Sequence, residues 1–190
     1  MKYLVPRIAR ADLGAMFVVA VLGALVAGCY GVLHDQITYA IGPEYFTKFK
    51  FEQFKFADFG LSNRIFVSCI GFLASWWVGF IFAWFLARRL IPNQPRRNAY
   101  PAIIKGFGIV FGTGVLAGVA GYFYGVWRGA GADYGAWSSF VKQFQITDTW
   151  AFVRVAYIHN ASYLGGLIGF FIAMVVSRPV PLTQKSCDVD

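Results

Sequence analysis

Four long apolar stretches alternate with shorter, more polar ones along the chain. Each is longer than the roughly 20 mostly apolar residues that a helix needs to cross a bilayer. They are residues 11–33, 65–87, 102–127 and 151–176. The pattern predicts an all-α integral membrane protein, a single domain with four transmembrane helices. Residues 34–64 and 128–150 then form two partly helical interfacial segments outside the membrane, and residues 177–190 form a tail.

Small residues recur every four positions in all four spans, a spacing typical of helix faces that pack closely within a membrane. The sets in the first two spans are repeated 94 positions later in the third span and 90 positions later in the fourth. They are Gly23, Ala27 and Gly31; Gly71, Ser75 and Gly79; Ala117, Gly121 and Gly125; and Ala161, Gly165 and Gly169. This self-similarity predicts two tandem helical hairpins, a parallel 2+2 repeat, packed as a four-helix bundle.

The composition agrees with a membrane environment. Hydrophobic residues make up 58% of the chain and charged residues 14%, whereas soluble domains carry about 25% charged residues. The net charge of +8 is not concentrated on any soluble module, so we expect the bilayer, and no nucleic acid, as partner. Cys29, Cys69 and Cys187 are too scattered for a disulfide framework or a zinc site.

Basic residues are distributed unequally between the two sides of the predicted bundle. The N-terminus, the link between the second and third spans and the tail together carry ten basic residues and three acids, a net charge of +7. The other side has a net charge of +1. Because basic loops stay on the cytoplasmic side, the sequence predicts that both termini are cytoplasmic and that the two longer polar segments lie outside.

Six polar residues form the candidate site at the outer face of the predicted bundle. They are His34, Asp35, Glu44, Arg154, His159 and Asn160. His34 and His159 have similar predicted depths, so two ligand chemistries are open, a divalent metal held with a carboxylate or a haem held between two histidines. The alternative is that each histidine only caps or hydrogen-bonds a helix end. Nearby arginines are expected to pair with Asp35, Glu44, Asp58 or Asp148.

The first outer segment combines a helix-start signal with many aromatic residues. Proline and glutamate in Gly42-Pro43-Glu44 suit the first turn of a helix. The phenylalanines from Phe46 to Phe56 alternate with lysines, a pattern that fits an interfacial segment with rings at the acyl boundary. We therefore expect this segment to be anchored in the interface and to hold His34, Asp35 and Glu44 over the outer end of the bundle.

Motifs for most enzyme classes are absent from the sequence. It contains no phosphate-binding loop and no HExxH zinc motif, and no charged residue lies at the middle of a predicted span. We therefore expect no catalytic residues and a non-enzymatic membrane subunit or assembly protein, with partner subunits or a homo-oligomer. The alternatives are a small channel or carrier on a pseudo-two-fold axis and a metal- or haem-binding protein using His34 and His159. For a membrane subunit and for a channel or carrier, no cofactor is expected.

The stretch HDQITYAIGPEYFTKF, from His34 to Phe49, resembles a segment of small, uncharacterised bacterial membrane proteins with four spans. The resemblance covers this stretch and the four-span layout. The resemblance implies a bacterial inner-membrane location and does not imply any molecular activity.

Overall fold

The computed structural model describes residues 8–179, and these form helices and no strand. The four long helices are α1 (Arg10–Ile41), α3 (Asn63–Leu90), α4 (Arg96–Arg128) and α6 (Thr149–Val176). With the turn that extends α3 to Asn93, they are long and apolar enough to cross a membrane. Some residues used in the sequence analysis lie outside the described part of the chain. They are the charged residues Lys2, Arg7, Lys185, Asp188 and Asp190, and also Cys187.

The long helices pack as two hairpins, α1 against α3 and α4 against α6, and the hairpins share far fewer contacts with each other. Small residues set the close approach within each hairpin. Gly71 lies against the backbone of Gly31, and a Cβ at Gly121 would come within 2.6 Å of the Tyr157 carbonyl oxygen. Helices that approach this closely gain dispersion contacts between their backbones.

The hairpins meet at both ends of the bundle. One buried cluster, at the end of the bundle where α1 begins and α6 ends, combines Met16 of α1, Leu86 and Leu90 of α3 and Ile103 of α4. A second cluster at the opposite end is described with the site below. Between them the rings of Phe82 and Phe170 stack at 4.2 Å. The two hairpins therefore form one bundle whose internal packing is tightest within each hairpin.

Helix α1 does not end at Leu33, where the sequence pattern places the edge of the first span. It continues for two more turns to Ile41. The added turns are amphipathic, because Asp35 and Thr38 are buried while Leu33 and Ile37 are about two-thirds exposed. The polar residues thus face the bundle, and residues 34–41 belong to the first long helix, not to a separate outer segment.

Two polar connections carry shorter helices. A helical stretch begins at Pro43, as the sequence predicts, and passes through a π-helical segment (Tyr45–Lys50) into the short helix α2 (Phe51–Gln53). The second connection contains α5 (Ser138–Gln143). Phe46 is fully buried and so cannot belong to the expected interfacial anchor, whereas Phe56 is 79% exposed.

Candidate functional site

Three side chains from the two hairpins meet near the end of the bundle that carries the polar connections. Helix α1 supplies His34 and Asp35, and α6 supplies His159. The Nε2 atom of His159 lies 3.2 Å from Oδ1 of Asp35, and the two imidazole rings are 4.8 Å apart, edge to face. His159 is 1% exposed and Asp35 is 5% exposed, while His34 is half-buried, so this His–Asp–His cluster lies at the seam between the hairpins.

The hydrogen bonds of His159 fix which of its nitrogens carries a proton. Its Nδ1 lies 3.0 Å from the carbonyl oxygen of Val155, one turn earlier in α6. A carbonyl oxygen only accepts, so Nδ1 must carry hydrogen and donate. The Nε2 lone pair of a neutral imidazole then faces the Asp35 carboxylate, another acceptor. A proton or a cation is needed between them, and an Nδ1–H bond to a carbonyl is also how metal-binding histidines are oriented.

The donor atoms have a geometry close to that of a metal site. One donor from each residue lies within 4.8 Å of the other two. Bonds of about 2.0–2.1 Å at a tetrahedral angle separate two ligand atoms by roughly 3.3 Å, close to the 3.2 Å between His159 and Asp35. The separations that involve His34 reach up to 4.8 Å, so His34 must move closer by up to about 1.5 Å. Its Nε2 is buried and has no hydrogen-bond partner among the described residues.

This geometry fits a bare ion better than a haem. A haem bound by two histidines must lie between them, with one nitrogen of each ring pointing at the iron. Here the Asp35 carboxylate occupies the space in front of His159 Nε2, and the two rings are in edge-to-face contact.

An aromatic cap covers the cluster on the side of the polar connections. The Tyr45 ring stacks on His159 at 4.8 Å, and Phe46 and Phe152 are fully buried beside it. Burial raises the pKa of the Tyr45 phenol above its usual range, so that side chain stays neutral. Burial also lowers the pKa of the Lys50 ammonium, and the Asp35 carboxylate opposes part of that shift. Lys50 is thus one cation within electrostatic reach of Asp35.

The other predicted site residues lie outside the cluster. Glu44 folds over the start of α6, where its carboxylate accepts hydrogen bonds from the backbone N–H groups of Thr147 and Asp148 and from the Thr147 hydroxyl. The Arg154 guanidinium donates to the Ile41 carbonyl. Asn160 is exposed. The structure therefore brings together three of the six predicted residues.

The expected pairing of outer arginines with acids is wrong for the described part of the chain, where Asp12 pairs with Arg96 and Asp35 with His159. Aromatic rings take the place of acids. Arg154 lies over the Trp150 ring at 4.4 Å, Arg64 over Tyr39 and Arg128 over Tyr134. A guanidinium gains from an aromatic face as well as from a carboxylate, and these connections are rich in aromatic residues.

Sequence reasoning missed several residues around the cluster. Thr38 lies four residues after His34 and donates its hydroxyl to the His34 carbonyl. Tyr163 lies four residues after His159, and the two rings are 5.9 Å apart. Thr38 follows from helical periodicity once α1 is extended past Leu33, and Tyr163 follows from the periodicity of α6. Tyr45 and Lys50 depend on how the connection folds back, for which the local pattern carries no signal.

A cavity of about 450 Å³ adjoins the cluster between α1, α4 and α6. His34 lines it, together with mostly apolar residues such as Leu33, Ile37, Val115 and Val119. These four apolar residues are between 46% and 66% exposed. The cavity therefore opens on the lateral surface of the bundle.

Comparisons with known proteins add no family to these observations. No protein-family model matches the chain. No curated protein and no solved structure is significantly similar to it. Its function is therefore inferred from its own geometry.

Proposed function

We propose that the chain is an integral protein of a bacterial inner membrane with both termini in the cytoplasm. Only 28–39% of the most apolar window of each long helix is buried within the bundle, so most of this apolar surface needs an apolar solvent. Basic residues gather at one end, where Arg88, Arg89, Arg96 and Arg97 lie in or next to the turn between α3 and α4. The resemblance of His34–Phe49 to bacterial membrane proteins supports the same location.

The two hairpins are proposed to be tandem repeats. Gly31 packs on Gly71 in the first hairpin, and Gly121 packs against Ala161 in the second. Each residue of the second pair lies 90 positions after its counterpart in the first. This pairing supports an offset of 90 positions between the two hairpins for both of their helices. Sequence matching alone gives an offset of 94 for the first helix and aligns Gly31 with Gly125.

The function that this geometry supports best is binding of a divalent transition-metal ion by His34, Asp35 and His159. One observation carries the proposal: Nδ1 of His159 donates to a carbonyl, so its Nε2 faces a carboxylate oxygen 3.2 Å away across a position that a proton or a cation must fill. The partnerless Nε2 of His34 lies in the same cluster. Two imidazoles and one carboxylate are a donor set suited to Zn²⁺ or Fe²⁺ and poorly suited to Mg²⁺ or Ca²⁺.

Metal binding is tested on the full chain in detergent or nanodiscs, by titration with Zn²⁺ and elemental analysis after dialysis. We expect one ion per chain. Asp35→Asn should weaken binding more than about tenfold, since even loss of an outer-shell partner costs 10–100-fold. Glu44→Gln is the matched control, because Glu44 is a carboxylate outside the cluster. Equal zinc affinity in the parent and in Asp35→Asn would contradict the metal proposal. The contact between His159 and Asp35 would then be a hydrogen-bonded ion pair.

A membrane-subunit function is the second candidate, with a different observation in its favour. The small-residue faces predicted for partner binding are largely occupied by contacts within the hairpins. Gly108 and Gly112 of α4, however, lie four residues apart on an open face, since a Cβ at either position would meet no atom within 4 Å. Gly112→Leu should abolish association in native gels if this face binds another helix, whereas Gly14→Leu, an equally open site on α1, should not.

A further inference from the structure

The His–Asp–His cluster is closed on one side and accessible on another. Tyr45 stacks directly on His159, and Phe46 and Phe152 fill the space beside it with no exposed surface. A ligand from water would have to displace this aromatic cap. His34, in contrast, also lines the 450 Å³ cavity, so the cavity reaches the cluster through a residue that both share.

The mouth of this cavity lies on the apolar lateral surface. Leu33 and Ile37 of α1 border it on one side and Val115 and Val119 of α4 on the other. In the proposed membrane orientation this surface faces lipid acyl chains. A molecule that enters by this route must therefore be soluble in the bilayer.

The cavity also contains two polar groups. Ser162 lies on its wall, and the Ser162 hydroxyl oxygen is buried. Tyr30 lines the cavity as well, and its phenol lies beside the Ser162 hydroxyl. Ligand pockets commonly combine apolar walls with a few such polar groups. Gly118 is part of the same wall, and its lack of a side chain leaves room for the Ser162 hydroxyl.

We infer that the cavity binds a lipid-soluble molecule with an oxygen-bearing head, and that the head reaches the metal held by His34, Asp35 and His159. This inference rests on the proposed metal function and specifies the ligand class of that site. Three protein ligands leave a fourth position of a tetrahedral ion open. The cavity falls within the range of about 300–1,000 Å³ that small-molecule sites occupy. An apolar body on the ligand matches the apolar walls, and a hydroxyl or carbonyl oxygen supplies the metal donor.

The test uses the full chain in nanodiscs, loaded with Co²⁺ so that the visible spectrum reports on the metal's ligands. The probe is 4-octylphenol, and octylbenzene is the matched compound without the hydroxyl. We expect 4-octylphenol to change the Co²⁺ spectrum in a saturable manner and octylbenzene to leave it unchanged. A spectrum unaltered by 4-octylphenol, or altered equally by octylbenzene, would overturn the inference.

Two tryptophan variants of α4 locate the binding site. Val119→Trp places a large ring at the cavity mouth and should weaken the 4-octylphenol response at least tenfold while Co²⁺ affinity stays unchanged. Leu116→Trp is the control, because Leu116 is 71% exposed and does not line the cavity. An equal response in both variants would refute entry through the cavity. If Co²⁺ does not bind the parent chain, the metal proposal is overturned together with this inference. If Co²⁺ binds but 4-octylphenol does not change the spectrum, only this inference is overturned.

Discussion

Replacing Gly121 by alanine tests the close packing of α4 on α6. The added Cβ would lie 2.6 Å from the Tyr157 carbonyl oxygen and 2.9 Å from the Ala161 Cβ, whereas carbon atoms prefer separations of about 3.5–4.0 Å. The two backbones must therefore move apart by up to about 1 Å. Overpacking of this kind costs about 1–3 kcal/mol, and alanine recovers about 1 kcal/mol of helix propensity over glycine. The net expectation is a loss of about 1 kcal/mol, with an upper limit of about 2 kcal/mol.

Gly112→Ala is the matched control on the same helix. A Cβ at Gly112 meets no atom within 4 Å, so only the propensity gain of up to about 1 kcal/mol applies. Unfolding of both variants by SDS in mixed micelles, followed by circular dichroism, should place Gly121→Ala below Gly112→Ala in free energy of unfolding by about 1–3 kcal/mol, because the propensity gain is common to both. Equal stabilities would show that α4 and α6 do not approach each other at Gly121.

Two further predictions concern the polar connections. Burial alone would raise the pKa of Glu44, but its hydrogen bonds to the segment before α6 outweigh that effect and lower the pKa. A lowered pKa stabilises the fold above the unfolded-state value and loses that stabilisation as the pH falls through the folded-state value. Glu44→Gln should therefore cost about 1 kcal/mol at pH 7 and almost nothing in acid, as measured by unfolding at several pH values. Reporter fusions at Asn93 should read cytoplasmic and those at Thr47 and Gly131 external, and a reversed reading at any one of them would contradict the topology.

Features governed by local pattern could be predicted from the sequence. The four long apolar helices follow from runs of residues that no soluble core of this size could bury. The helical start at Pro43 follows from proline's fixed backbone angle and missing N–H. Similar depths for His34 and His159 follow from the lengths of the first and fourth spans, although contact between the two side chains does not follow from depth alone.

Features governed by long-range packing could not be predicted in the same way. Hydropathy ends the first span at Leu33, because Asp35 counts as polar wherever its side chain points. The structure buries Asp35 against His159, 124 positions away, and no local pattern encodes that contact. The sequence predicts an acidic partner for Arg154, yet the Trp150 ring meets it instead. Which partner satisfies a charge depends on how the connections fold over the bundle.

X-ray absorption at the zinc edge tests the metal site most directly, with the full chain loaded with one equivalent of Zn²⁺. We predict nitrogen and oxygen donors at about 2.0–2.1 Å, with scattering from two imidazole rings. One imidazole contribution should disappear in His159→Gln while the helical content is unchanged. A sulfur shell near about 2.3 Å, a spectrum that His159→Gln does not alter, or no retained zinc would contradict metal binding by His34, Asp35 and His159.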